Sequence, residues 1–224
     1  FSGVGATFAP GQALADILAN NTSTPQTIRY TFRPQFAMGL ACTGDLVNID
    51  ITVTPRPVLA NIPQPADVCS NGQLEINMST DTDPLTTLIT WTVATSVPSP
   101  DLVGAGPGAG NQIFQTLINR TNVPQTVTYT ITPKFNNCDG ASQVVVVTVN
   151  PLPVVNPPAR LTVCGGDPFV LDLLPFVNTN PAQTTFDWTV TDINGLGVPL
   201  TGAGTGINQP LSNPNDFTAT LIYT

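Results

Sequence analysis

Residues 124–133 read Pro124-Gln125-Thr126-Val127-Thr128-Tyr129-Thr130-Ile131-Thr132-Pro133. The large side chains of Val127, Tyr129 and Ile131 alternate with threonines, a period of two that sends one set to each face of a β-strand. Threonine is β-branched and suits a pleated strand, yet it offers a hydroxyl to water. The same alternation runs through Ile89, Trp91 and Val93, through Phe186, Trp188 and Val190, and through Ile28, Tyr30 and Phe32. These are half-buried strands, and nothing comparable has the spacing of a helical stripe; only Gln12 to Asn20 reads as a short helix or turn.

The decisive strand is not unique. Pro25-Gln26-Thr27-Ile28-Arg29-Tyr30-Thr31-Phe32-Arg33-Pro34 precedes it by 99 positions. Val53-Thr54-Pro55-Arg56-Pro57 returns as Val149-Asn150-Pro151-Leu152-Pro153, Val68-Cys69 as Val163-Cys164, and Trp91-Thr92-Val93 as Trp188-Thr189-Val190. A period close to the length of one β-sandwich emerges. In that frame residues 1–56 are the second half of one repeat, 57–153 a whole one, and 154–224 the first part of a third. The middle repeat predicts strands near 66–69, 73–78, 86–95, 113–119, 124–132 and 142–150, with a seventh between 57 and 63. The expected fold is all-β, a tandem array of immunoglobulin-like sandwiches, with Trp91, Trp188, Tyr30 and Tyr129 as core anchors. The Pro-rich junctions Pro55-Arg56-Pro57 and Pro151-Leu152-Pro153 favour extended chain and a semi-rigid rod.

Composition closes several alternatives. Charged residues make up 9% of the 224, with one lysine, five arginines, no histidine and a net charge of -8. An acidic chain repels a phosphate backbone, so nucleic acid is excluded as a partner. The longest apolar run, Val144 to Val147, is far short of the roughly 20 residues that span a bilayer, so direct membrane insertion is not expected. The chain starts at Phe1 and stops at Thr224 within an apparent strand, and is read as cut from a longer one.

Without histidine, Ser-His-Asp and Cys-His arrangements cannot be built, and the acidic residues sit in turn-like contexts. No enzyme, catalytic residue or cofactor is expected. Asp81-x-Asp83 offers oxygens for calcium but lacks the glycine and distal glutamate of a calcium loop, so a solvated turn is preferred and no metal site is assigned. The glycine-rich runs 104–110 and 202–206 lack the lysine and helix of a phosphate cradle and read as flexible loops.

Four cysteines remain, Cys42, Cys69, Cys138 and Cys164. Within a repeat, Cys69 would bond Cys138; between repeats, Cys42 would bond Cys69 and Cys138 would bond Cys164. The loop before the last strand lies at the end of the sandwich where the chain arrives, which favours Cys69 with Cys138 if Cys69 also lies there, since a disulfide tolerates about 7 Å between Cα atoms.

The succession Val68-Cys69, Trp91-Thr92, Leu117 with Asn119, Tyr129-Thr130, Cys138-Asp139-Gly140 and Val147-Thr148-Val149-Asn150-Pro151 resembles the PKD-like repeats of Bacteroidota cell-surface adhesins, of which the SprB-type gliding-motility adhesins are an example. The resemblance implies a structural and adhesive segment of a very large adhesin, exported by the type 9 secretion system and held outside the outer membrane, where disulfides persist. Its implied partners are neighbouring repeats, surface polysaccharide or a substratum, and the secretion or motility machinery. The alternative is a spacer or carbohydrate-binding module of a secreted glycan-degrading enzyme. That would need an exposed row of aromatics, for which Phe8, Phe114 and Phe176 are the unassigned residues.

Overall fold

The structure is a computed structural model that describes residues 13–38, 40–60, 62, 64–65, 67–180 and 183–224. Among them the chain is all-β, and its strands fall into three groups that share no sheet. The first comprises β1 (Gln26–Phe32), β2 (Gln35–Met38), β3 (Leu40–Thr43) and β4 (Val47–Val53), with β1 paired antiparallel to β4 and β2 to β3. Residues 13–20 form no helix; burial alternates there, and Tyr30 donates its hydroxyl to Asp16 Oδ2 at 2.9 Å. Residues 13–20 are thus non-helical where a short helix or turn is predicted for 12–20, with Asp16 held by the Tyr30 hydroxyl; Gln12 lies outside the described residues.

The middle group is a complete sandwich. Its strands are β5 (Val68–Cys69), β6 (Gly72–Asn77), β7 (Thr87–Thr95), β8 (Leu102–Val103), β9 (Gly108–Ala109), β10 (Gln112–Asn119), β11 (Gln125–Phe135), β12 (Cys138–Asp139) and β13 (Gln143–Asn150). One sheet has the order β5-β13-β11-β7-β9, with β12 on β11, and the other β6-β10-β8. The decisive strand β11 is central, flanked by β7 and β13, and its Val127, Tyr129 and Ile131 are fully buried. They meet Leu74, Ile76, Ile113 and Leu117 of the facing sheet, with Trp91 and Val145, Val147 and Val149 completing the core. β11 runs on through Pro133 to Phe135, beyond the predicted end. Pro133 lies past the last β13 pair, Ile131 with Gln143, so its missing N–H removes no bond to that strand. Of the seventh strand expected at 57–63 the described residues show an isolated bridge, Leu59 to Thr80, while Asn61 and Pro63 lie outside the described residues.

The last group contains β14 (Pro168–Asp172), a 3-10 turn at Leu174–Phe176, β15 (Phe186–Asp192), β16 (Thr201–Gly204), β17 (Gly206–Pro210) and β18 (Leu221–Tyr223). Its smaller core holds Phe169, Leu173 and Ile207, with Trp188 and Tyr223 packed against it. Tyr223 stands edge-on to Trp188, with ring centroids 5.8 Å apart.

Each tryptophan lies on a glycine. Gly108 is the register partner of Trp91, and a Cβ there would fall 2.5 Å from Trp91 Cζ2; Gly202 faces Trp188 in the same way, closer still. Trp91 Nε1 donates to Gly106 O at 3.0 Å. The glycine runs read as flexible loops are therefore a bed for the indoles, paired to the tryptophan strands.

Removing the Trp91 ring should cost about 3–5 kcal/mol, whereas Phe114→Ala, at an exposed position, should shift stability by no more than ~0.5 kcal/mol. Urea unfolding followed by fluorescence for Phe114→Ala and by circular dichroism for Trp91→Ala measures both.

Candidate functional site at the junctions between sandwiches

The chain passes from the first group to the middle one through Thr54-Pro55-Arg56-Pro57. Pro55 and Pro57 are fully buried, while Arg56 is exposed and donates from Nη1 to Asp139 O at 2.7 Å. The hairpin that covers this junction carries Gly140, where any Cβ would collide with Pro57 O. Gly140 N donates to Pro133 O at 2.8 Å, and Gly44 N donates to Pro34 O at 2.9 Å, so the same hairpin closure recurs in the first group. At the second junction Pro153 is exposed.

After each junction the chain is tied down in the same manner. Val58 N donates to Asp81 Oδ1 at 2.7 Å, and Val154 N donates to Asn178 Oδ1 at 2.6 Å. Asp83 spends its carboxylate on Leu85 N and Thr86 Oγ1. The Asp81-x-Asp83 pair thus serves the backbone, and an uncharged asparagine does the same work one repeat later. Among the described residues no group of three metal-ligating side chains is found.

A second recurring device had gone unread in the sequence. Asn119 Nδ2 donates to Val123 O and Val149 O, both at 2.8 Å, while its Oδ1 accepts from Thr121 N. Asn20 does the same with Thr24 O, Val53 O and Thr22 N, and Asn213 with Phe217 O and Asn215 N. At Asn119, which is buried, and at the half-buried Asn20 the clamp ties the turn before the tyrosine strand to the strand that leads into the junction; at Asn213 it holds the turn. Its signal was the asparagine two residues before Thr22, Thr121 and Asn215.

The tyrosines form a third. Tyr129 donates its hydroxyl to Gln115 Oε1 at 2.7 Å, Tyr30 donates to Asp16 Oδ2, and Tyr223 makes a short bond to Gln209 Oε1. Burial pushes the Tyr129 phenol up to about 12, and raises Tyr30 and Tyr223 as well.

The structure does not bring Cys69 and Cys138 together, and no bridge joins any two of the four cysteines within this chain. The register explains why. Gln143 Nε2 donates to Leu59 O at the end where the chain arrives, Gln64 bonds Val144 and Val146 midway, and Cys69 pairs in parallel with Asn150 at the far end. Residues 58–69 therefore run the length of β13. Cys138 pairs with Phe135, at the opposite end of β11 from Gln125, which faces Val149. Ten residues of strand at ~3.3 Å each put the two cysteines about 33 Å apart, far outside disulfide reach.

The predicted anchors Trp91, Tyr129 and Tyr30 are buried and Trp188 is partly buried, each in its own group's core rather than in one site. Trp188 Nε1 is buried without a partner. The aromatics also gather no platform: Phe114 and Phe36 are exposed on different groups, Phe176 is half-buried in the 3-10 turn, and Phe8 lies outside the described residues.

The sequence description of the PKD-like domain matches residues 2–57 and 66–153. The chain belongs to the PKD-like domain family. No curated protein matches it. PKD-like domains are immunoglobulin-like modules of a structural or adhesive kind and are generally non-catalytic, in keeping with a chain whose recurring asparagines, tyrosines and tryptophans bond and pack within their own sandwiches.

Asn119→Ala strands the buried Val149 carbonyl and frees the partly buried Val123 carbonyl, and should destabilise the middle sandwich by about 1–3 kcal/mol in urea unfolding. Alkaline titration should report on Tyr129. A phenol raised in the fold stays neutral where the unfolded chain ionises, so its contribution is intact below pH ~10 and is lost as pH climbs toward 12. Tyr129→Phe should flatten that part of the stability profile, read from denaturation midpoints between pH 9 and 12.

Proposed function

We propose that the chain is a stalk segment of a very large cell-surface adhesin, in which successive PKD-like sandwiches form a filament that holds adhesive surfaces against a polysaccharide or solid substratum. The observation that carries this reading is the recurrence, at one sandwich spacing, of the tyrosine strand, the asparagine clamp and the glycine-bedded tryptophan, joined through a packed Pro-x-Pro junction. Residues invested in internal order, with no cluster of chemistry-bearing side chains among those described, suit a spacer that transmits position and load.

The likeness to Bacteroidota adhesins supports an extracellular, outer-membrane-associated site, export by the type 9 secretion system and a role in gliding motility or surface attachment. Among the described residues no helix is long and apolar enough to cross a membrane. The reading as a spacer or carbohydrate-binding module of a glycan-degrading enzyme gains nothing from the scattered exposed aromatics.

Deleting the coding segment for residues 57–153 from the parent gene should shorten the filament seen by negative-stain electron microscopy and weaken surface attachment, with growth and glycan use unchanged. Loss of a glycan-degrading activity with attachment intact would replace the adhesin reading with the enzyme-spacer one.

A further inference from the structure

We propose that each Pro-x-Pro junction is bridged by a disulfide between the early cysteine of the sandwich before it, the Cys69 and Cys164 position, and the late cysteine of the sandwich after it, the Cys42 and Cys138 position. The inference rests on the tandem-array reading above.

Topology removes the other pairings. Cys69 and Cys138 occupy opposite ends of one sandwich. Cys42 with Cys69 would be worse, because Cys42 pairs with Phe36 at the arrival end of the first group while Cys69 lies at the departure end of the middle one. Cys138 with Cys164 repeats that mismatch one unit on, since Gly166 N donates to Leu211 O as Asn71 N donates to Leu117 O, which fixes Cys164 at a departure end too.

What remains are two cysteines that flank the same junction. Cys69 is in register with Asn150, the residue immediately before Pro151. At the preceding junction the Cys138–Asp139 strand receives Arg56 on Asp139 O, and its neighbour Gly140 lies against Pro57 O. Asn150 corresponds to Thr54 and Pro153 to Pro57, so three residues separate the two attachment points. At ~3.1 Å per residue for Pro-rich extended chain that is about 9 Å. Each cysteine stands one strand spacing, about 5 Å, to the side of the chain, and Cys138 lies two residues, about 7 Å, beyond Gly140 toward the hairpin tip and the preceding sandwich; that leaves about 3 Å along the axis, a Cα separation under about 7 Å when both occupy one flank. Cys69 and Cys164 are exposed and Cys138 is half-buried, so the thiols are open to each other. Each junction in this chain holds one member of its pair, and in the tandem array the other lies one period away.

The bond forms by exchange. The thiolate of one cysteine attacks an oxidised dithiol, a small-molecule or protein disulfide, and the second cysteine resolves the mixed disulfide. One Sγ–Sγ bond is made, the oxidant's S–S bond is broken, and its two sulfurs leave as thiols with the two protons.

The test is peptide mapping of the natural full-length protein, with free thiols alkylated before digestion without reductant. The expected product joins the Cys69 peptide to the late-cysteine peptide of the following sandwich, and Cys138 to the early cysteine of the preceding one, both links vanishing with dithiothreitol. Cys69→Ser in the same protein should free one late cysteine for alkylation and leave every other link in place. Alkylated Cys69, or Cys69 linked to Cys138, overturns the staple. Electron micrographs of the same sample separate the two readings: a rod with every cysteine alkylated overturns the staple alone, whereas a compact particle overturns the array and the staple together.

Discussion

The indole of Trp91 lies against a backbone that has no side chain to displace it, and the middle sandwich is arranged around that contact. Gly108 places bare backbone under the ring, Gly106 O takes the indole N–H, and Gln115 Nε2 bonds the same carbonyl. Gln115 in turn accepts the hydroxyl of Tyr129, so the tryptophan strand, the glycine run, β10 and the central strand β11 meet in one hydrogen-bonded knot. A fully buried ring of this size supplies more apolar area than its neighbours, and its one polar atom is satisfied where water is excluded. In the last group Gly202 beds Trp188 likewise, but the indole N–H finds no acceptor.

That arrangement explains how a chain with so little charge holds together and meets water. The six lysines and arginines leave few ion pairs to make. Those found are exposed, such as Arg29 with Asp50 at 2.7 Å, and pairs of that kind are worth at most about 1 kcal/mol. Solvent instead sees the outer faces of strands, where Thr126, Thr128 and Thr130 back the buried Val127, Tyr129 and Ile131. Specificity comes from amide side chains. The buried Asn119 and its half-buried counterparts Asn20 and Asn213 each hold a turn at a set position, and replacing such a group with an apolar one leaves carbonyls unpaired.

The parts of the fold legible in the sequence were those governed by side-chain alternation. The strands around Tyr129, Trp91 and Val147 announce themselves because one face is buried and the other is not, and β11 is central for that reason. Two things were not legible. Glycine runs carry no side-chain pattern, so a surface made to fit an indole looks like slack chain. The direction of the segment before β5 is set by side-chain bonds, from Gln143 Nε2 to Leu59 O, from Gln64 Nε2 to Val144 O and from Val146 N to Gln64 Oε1, made by glutamines that any loop could contain. Because that segment runs the length of β13, the early cysteine is carried to the far end, and a pairing argued from sequence position alone puts it at the wrong one.

The same segment decides what kind of connection the junction is. Proline-rich linkers are stiff because φ is fixed, but stiffness of that origin is local and leaves the flanking units free to turn about ψ. Here Pro55 and Pro57 are buried, Arg56 is anchored on Asp139 O, and Val58 is held by Asp81 within four residues of the last strand of the first group. The chain is thus gripped by the β11–β12 hairpin, whose Gly140 admits the Pro57 carbonyl, and just beyond it by Asp81. The junction residues are then fixed on the middle sandwich by packing and hydrogen bonds as well as by proline. Tension applied along the chain would reach β13 through a strand flanked on one side by β11 and on the other by β5, so the ladder bonds of the central sheet are sheared together rather than opened one at a time.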